Sequence, residues 1–344
     1  DRLSYGHMDP VDRIIVANSP AAARHLLIVD APGLVDEALL RADRVSAWCD
    51  DIRDAALVRD DVLIDRLDAT TLDGVDLVWM RLPRALGALD EYSELIASHA
   101  ADDVQVIAGG REKHLNRSMN STLTGHFTSV SASLGQQKSR ALRASGPRHG
   151  DPVWPRHKTI TVGGEQLEMW WHGATFAAGR VDDGTRLLID HLDRVADADR
   201  YLDLGCGSGL LATLIARAHP DSDVDATDTS WAAVDSTRRT AAGTGVRTHW
   251  AADLGDFADQ DLDVIVCNPP FHRGAAKDSA PTIALFEQAA RALADGGEFW
   301  CVFNSHLPWK AHLSRLIGAT TLVAQNPGFT LTRSLRRRED HGQP

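Results

Sequence analysis

The chain has 344 residues and a formal net charge of -12. That length allows two domains with proper cores, and the charge excludes a generally basic nucleic-acid binder. No apolar run reaches membrane-spanning length, and the charged N-terminus lacks the apolar core of a signal peptide.

In chain order, His25–Asp30 reads as a first strand and Val45–Asp50 as a second, each ending in an acid. Val75–Met80 and Val104–Ala108 follow as two more. Alanine-rich amphipathic segments between them, such as Arg84–Leu89, complete an α/β pattern. From Arg111 to Lys158 the basic residues are Arg111, Lys113, Arg117, Lys138, Arg140, Arg143, Arg148, Arg156 and Lys158, opposed only by Glu112 and Asp151. Two readings stay open: a solvated linker, or a phosphate-contacting strip that steers RNA onto an otherwise acidic protein. Arg111, Lys113, Lys138 and Arg140 are the candidate RNA contacts. The run Ala144–Pro152, rich in turn formers, predicts the linker between two halves.

Past the linker, Lys158–Trp171 alternates around Gly163-Gly164 and predicts a small hairpin. The segment from Thr175 to Leu188 reads as a loop entering a helix, with Asp182 or Asp183 near its start. Next, Arg200-Tyr201-Leu202 predicts a strand, and Asp203-Leu204-Gly205-Cys206-Gly207-Ser208-Gly209 a glycine turn before the helix Leu210–Ala216. Glycines let such a turn bring its backbone against a ligand, with a helix N-terminus behind it. No Lys-Ser or Lys-Thr follows, which argues against a phosphate-binding loop of the ATPase kind, and the spacing differs from the dinucleotide fingerprint. Val224–Asp228 predicts a second strand whose terminal carboxylate can accept both ribose hydroxyls of an adenosine; the competing reading of Asp228 is a helix cap before Trp231. Thr248–Ala252 predicts a third strand ended by Asp253, where a carboxylate can meet an adenine amine.

The continuous apolar run Val264–Cys267 predicts a buried parallel strand. Asn268-Pro269-Pro270-Phe271 ends it abruptly at the edge where open α/β sheets bind ligands. The Asn268 side-chain oxygen and the Pro269 carbonyl can each accept one N–H, and Phe271 can stack on a ring, a set suited to a planar base bearing an NH2. Gly297–Asn304 predicts another strand, and Thr320–Ala324 with Phe329–Ser334 an antiparallel pair at one sheet edge. The four cysteines, Cys49, Cys206, Cys267 and Cys301, lie far apart without a Cys-x-x-Cys pair. They predict no zinc site, no other metal centre and no disulfide framework, and with them a reducing, cytoplasmic setting. The first half reads as a worn copy of the second: Ala31-Pro32-Gly33 replaces the glycine turn, and Arg81-Leu82-Pro83-Arg84 replaces Asn-Pro-Pro-Phe.

The order of glycine turn, ribose carboxylate, adenine-side carboxylate and Asn-Pro-Pro-Phe resembles the class I S-adenosylmethionine-dependent methyltransferases that act on amino groups. Val106–His114, Phe176–Leu188, Asp203–Gly209, Asn268–His272, Gly296–Glu298 and Asn304–Pro308 extend the likeness to nearly the whole chain. It resembles the bacterial RsmC/RlmG group of ribosomal RNA guanine-N2 methyltransferases. Two departures stand out. Ala177-Ala178-Gly179 follows Phe176 where the family often has Ser-Arg-Asp, although Asp182 and Gly184 match, and Asp253 stands where relatives often have Asn.

The resemblance implies two Rossmann-like class I methyltransferase domains in tandem. The N-terminal one (1–145) would be degenerate and serve RNA recognition or structure; the other (153–338) would be catalytic. S-adenosylmethionine would be the cofactor, held by Asp182, Asp203, Gly205, Gly207, Asp228, Asp253 and Asn268. Asn268, Pro269 and Phe271 would act on the target amine. The substrate would be ribosomal RNA or a ribosomal subunit, 16S favoured over 23S, and the protein a monomer with no membrane partner. Two rivals remain: a methyltransferase for another planar amine (protein glutamine or adenine N6), and a non-catalytic RNA-binding ribosome assembly factor. The second should have lost the glycine turn or the Asn, as the first half has.

Overall fold

The computed structural model describes residues 8–257, 261–269 and 280–337. The chain divides into two compact units, Asp1–Pro155 with His172–Ala174, and Arg156–Trp171 with Thr175–Pro344.

The first unit holds strands β1 (Ala23–Val29), β2 (Ala42–Trp48), β3 (Leu77–Arg81), β4 (Gln105–Arg111), β5 (Phe127–Ala132) and β6 (Ser139–Pro147). They form one sheet in the order β2-β1-β3-β4-β6-β5. The first four are mutually parallel, while β6 runs antiparallel to β4 and β5. Leu26, Leu27, Ile28 and Val29 of β1 are fully buried, as a central parallel strand covered on both faces requires. The expected linker is corrected here: Ala144 to Pro147 are strand, because β6 pairs through Ala144 and Ser145 with both neighbours and through Pro147 with β5. Turn-forming residues lose to tertiary pairing when partners lie on either side. Alternation in β5 is weak and polar, so the β5–β6 pair was invisible in the sequence.

The second unit opens with the expected hairpin, β7 (Arg156–Val162) against β8 (Glu165–Trp171). Its main sheet contains β9 (Arg200–Leu204), β10 (Asp223–Asp228), β11 (Arg247–Trp250), β12 (Leu262–Cys267), β13 (Leu293–Asn304), β14 (Thr320–Gln325) and β15 (Phe329–Leu335). The order is β11-β10-β9-β12-β13-β15-β14. The last two are antiparallel and sit at one edge, as the sequence predicts. Successive residues serve opposite layers: Tyr201, Val264 and Val266 join one buried cluster, and Leu202, Ile265 and Cys267 the other. Each fully buried Val or Ile contributes roughly 1.5–3 kcal/mol relative to exposure, so β12 is anchored hard where Asn268 leaves it. All four cysteines are buried and free.

The two sheets share one topology. Removing β11 from the second leaves the order of the first. An isolated parallel bridge, Ala47 with Leu63, stands in the first unit where β11 lies in the second. The registers align residue by residue: Val29 pairs with Trp48 and Met80, and Leu204 pairs with Thr227 and Cys267. Asp30 thereby corresponds to Gly205, and Arg81 to Asn268.

Candidate active site

The glycine turn leaves β9 with its backbone tied to β10: Gly205 and Cys206 both donate their N–H to the Thr227 carbonyl, at 2.9 and 3.1 Å. Gly205, Gly207 and Gly209 have φ of 77°, 55° and 79°, a left-handed region that a Cβ disfavours. Gly209 is required for a second reason. A Cβ there would lie 2.7 Å from the Thr237 Cα, so glycine is what lets this turn pack on the neighbouring helix Trp231–Thr240.

Two carboxylates hold the turn. Asp203 is 1% exposed. Its Oδ2 accepts from the Ala212 N–H at 3.0 Å, within the helix Leu210–Ala218 that follows the turn. Burial is the main cause that pushes its carboxyl up to about 7, with the nearby Asp228 adding to the shift. Its Oδ1 is buried with no hydrogen-bond partner among the described residues. Asp228, at the end of β10, accepts from the Gly207 N–H at 3.2 Å and the Ser230 N–H at 3.0 Å. The helix cap is Ser230, which accepts from Ala233, so Asp228 is not a simple cap. It stands between turn and helix, where a ribose-binding carboxylate is expected.

The turn and the Asn-Pro loop are neighbours: the nearest atom to a Cβ built on Gly205 would be the Asn268 carbonyl oxygen, 4.0 Å away. Asn268 sits one residue past β12, half-buried, and Pro269 is buried. The Asn268 Nδ2 donates to Asp182 Oδ2 and to Thr185 Oγ1, each at 2.9 Å. Asp182 is also the cap of the helix Asp183–Ile189, accepting from the Gly184 and Thr185 N–H groups at 2.9 and 3.1 Å.

One cleft is lined by Phe176, Arg180, Asp182, Thr185, Gly205, Gly207 and Asn268, among others. Four of the sequence-predicted residues thus meet there: Asp182, Gly205, Gly207 and Asn268. Asp203 and Asp228 hold the turn from outside that lining. The strand expected to run up to Asp253 is corrected: it is shorter. β11 ends at Trp250, so Asp253 lies in the loop beyond it, where its Oδ1 accepts from the Gly255 N–H at 2.8 Å. It lines a different cleft, with Phe257, Gln288 and Arg291. Phe271 and His272 lie outside the described residues. Sequence reasoning missed Thr185, Phe176 and Arg180 as cleft residues. The position of Thr185, third in a helix capped by Asp182, was the available signal. Among the described residues no cluster of His, Cys, Asp and Glu is arranged to hold a metal ion.

In the first unit, the four candidate RNA contacts are brought together. Gly110 pairs with Arg140 and Arg111 with Ser139, and Glu112 donates its N–H to the Lys138 carbonyl at 2.9 Å. Two of the four have acid partners: Arg111 lies 3.6 Å from Asp9, and Arg140 lies 3.4 Å from Glu112. Lys113 and Lys138 are exposed and have no ion pair among the described residues.

Family models match both units: the RLMG N-terminal domain over residues 45–148 and the methyltransferase small domain over residues 166–333. The ribosomal RNA large subunit methyltransferase G of Stutzerimonas stutzeri is 31% identical, over 92% of this chain and 88% of its own length. That of Ectopseudomonas mendocina is 34% identical over 75% and 70%. The chain belongs to the ribosomal RNA large subunit methyltransferase G family. Among solved structures, the T. thermophilus 16S rRNA N2 methyltransferase RsmC, in complex with AdoMet and guanosine, superposes with a TM-score of 0.78. It covers 96% of this chain and 93% of its own at 19% identity, which carries the fold: two α/β domains with a class I methyltransferase sheet. The methyltransferase G family fold is thus the tandem arrangement that the sequence reading expects, and the protein is a methyltransferase.

Proposed function

We propose that this methyltransferase transfers the methyl group of S-adenosylmethionine to the exocyclic N2 of a guanosine in ribosomal RNA. The observation that carries the reading is the Asn268 amide, held beside the glycine turn with both its N–H bonds engaged, so that its oxygen is left to accept a hydrogen from an incoming amine. The residues present suit the cofactor. Three left-handed glycines bare the turn backbone, Asp228 ends β10 where a ribose-binding carboxylate is expected, and Asp203 carries a buried oxygen without a hydrogen-bond partner among the described residues. S-adenosylmethionine supplies an electrophilic methyl group.

Guanine N2 is a poor nucleophile because its lone pair is delocalised into the ring. A sulfonium methyl group needs no strong base, so the protein's task is orientation. The Asn268 oxygen and the Pro269 carbonyl accept the two amine hydrogens and bind more tightly as positive charge grows on nitrogen. Alignment of the lone pair contributes several kcal/mol more. A paired base must be flipped out to reach such a cleft.

The relatives are named as large-subunit enzymes, and they match at higher identity than the 16S enzyme. We therefore favour large-subunit RNA over the small-subunit RNA that the sequence reading preferred. The basic cluster at Lys113 and Lys138 supports RNA contact through the first unit. The test is to incubate the protein with isotopically labelled S-adenosylmethionine and each ribosomal RNA, free and in subunits, and to map the labelled nucleotide. Label on guanine N2 of the large-subunit RNA supports the reading. Label only on an adenine, on a protein glutamine or nowhere refutes it.

A further inference from the structure

We propose that Asp182 and Thr185 are positioning residues that set which way round the Asn268 amide faces, and that this latch is a device of the fold present in both units. The proposal rests on reading Asn268 as the acceptor of the target amine.

The chemistry of the partners fixes the orientation. An ionised Asp182 carboxylate can only accept, and its Oδ2 already faces the Gly184 and Thr185 N–H groups at 2.9 and 3.1 Å. A flipped Asn268 would set its own oxygen against that oxygen. In the observed orientation one amide hydrogen goes to Asp182 and the other to Thr185 Oγ1, each at 2.9 Å. Both donors are then committed, and only the acceptor is left for substrate. The bond to a carboxylate is charge-assisted and polarises the amide toward its oxygen, which strengthens it as an acceptor while the target nitrogen becomes positive.

The first unit supplies an independent observation. Its helix Pro10–Ala17 is capped by Asp9, as the helix Asp183–Ile189 is capped by Asp182. Asp12 is third in that helix, as Thr185 is in the other. Arg81, the register equivalent of Asn268, donates from Nε to Asp12 Oδ1 at 2.7 Å and lies 3.6 Å from Asp9. Both units therefore tie the end of the same strand to a cap residue and to the residue three further on. In the first unit the tie is an ion pair between a cation and two acids, and the strand-end residue, Arg81, has no acceptor to offer. In the second, a neutral Thr and an amide replace the Asp and the Arg, and the amide oxygen is left over.

Thr185→Val keeps the β-branched shape and removes the oxygen; Asp182→Asn keeps a competent helix cap and removes the charge. Single-turnover methyl transfer on ribosomal RNA should slow about tenfold in each. The dissociation constant for S-adenosylmethionine and the KM for RNA should stay within about twofold of wild type. Thr185→Ser should recover most of the rate lost in Thr185→Val. Asp12→Asn, which weakens the latch of the first unit, should lower the melting temperature without this kinetic signature. The side-chain amide protons of Asn268, assigned by their loss in Asn268→Ala, should move upfield and exchange faster in Asp182→Asn. Wild-type rates in both variants, or a loss confined to cofactor affinity, would overturn the proposal; the latter would make Asp182 a cofactor ligand instead. The wild-type control separates the two readings: if it methylates another amine, the substrate assignment fails while the amide resonances still decide the latch.

Discussion

In the second unit the turn after β9 places glycine at three left-handed positions, whereas in the first unit the equivalent position carries a carboxylate. Asp30 has a φ of 53° and donates its N–H to the Trp48 carbonyl at 3.0 Å, as Gly205 does to Thr227 at 2.9 Å. Asp tolerates this conformation through its short polar side chain. Here that side chain turns inward, and its Oδ1 accepts the Asp50 N–H at 2.8 Å. Burial pushes its carboxyl up to about 7, and the neighbouring Asp50, Asp54 and Asp51 add to this. One backbone thus serves two purposes. Where the Cβ is absent, the turn is bare and a ligand can lie on it; where a carboxylate is present, it folds back onto a backbone N–H of the same unit.

The sharpest way to break this contrast is to import the first unit's residue into the second. Gly205→Asp should fold, because Asp30 shows that the conformation accepts Asp. It should also abolish S-adenosylmethionine binding by calorimetry. Retained binding would mean that the turn is not the cofactor platform. The wild-type chain should show one site, and Asp228→Ala should weaken it sharply; two equivalent sites would undo the contrast altogether.

Asn268→Ala should lower methyl transfer by about 100-fold or more, with cofactor binding nearly intact, since each 1.4 kcal/mol is tenfold in rate. The counterpart change in the first unit, Arg81→Ala, should leave the chemical step alone and reduce stability by releasing Asp12. Full turnover in Asn268→Ala would remove that residue from the mechanism.

A smaller effect is expected from the basic cluster. Neutralising Arg111, Lys113, Lys138 and Arg140 together should raise the KM for RNA. The salt dependence should flatten by roughly 0.7–0.9 in log–log slope for each phosphate left without its cation. Lys113 and Lys138 should account for most of it, because Arg111 and Arg140 already face acids. An unchanged slope would make the cluster a solvated surface.

The smallest effect is on stability against pH. Asp203 and Asp30 each have a folded pKa near 7, above the unfolded carboxylate value of about 4. Between those values the native state holds protons that the unfolded state has released. Their contribution to stability is therefore full below about pH 4 and is lost as pH rises toward 7 and beyond. Thermal melts from pH 5 to 8 should show this slope, reduced in Asp203→Asn and again in Asp30→Asn. An identical slope in both variants would mean that neither carboxyl holds its proton in the native state.

Much of the second unit was legible because its chemistry is local. Val264–Cys267 is a run too apolar to lie anywhere but in a buried strand, and two prolines must end it. Three glycines in five residues after a strand leave few alternatives to a bared turn. The first unit was legible only in its four parallel strands, since β5 and β6 carry mixed residues that become strand by pairing. The strand before Asp253 was drawn too long for a similar reason: it was carried to the acid, but the sheet ends β11 at Trp250, three residues earlier.

The sequence by itself determined the parallel core, the bared turn and an Asn at a strand end, because period, apolar content and the backbone limits of Gly and Pro act within a few residues. The tertiary structure alone decided which atoms of Asn268 face outward, since its partners, Asp182 and Thr185, lie 86 and 83 residues away in the chain. It alone showed that Asp30 stands where Gly205 does. Such matches depend on strand register, and register is set by packing between segments that share no local signal.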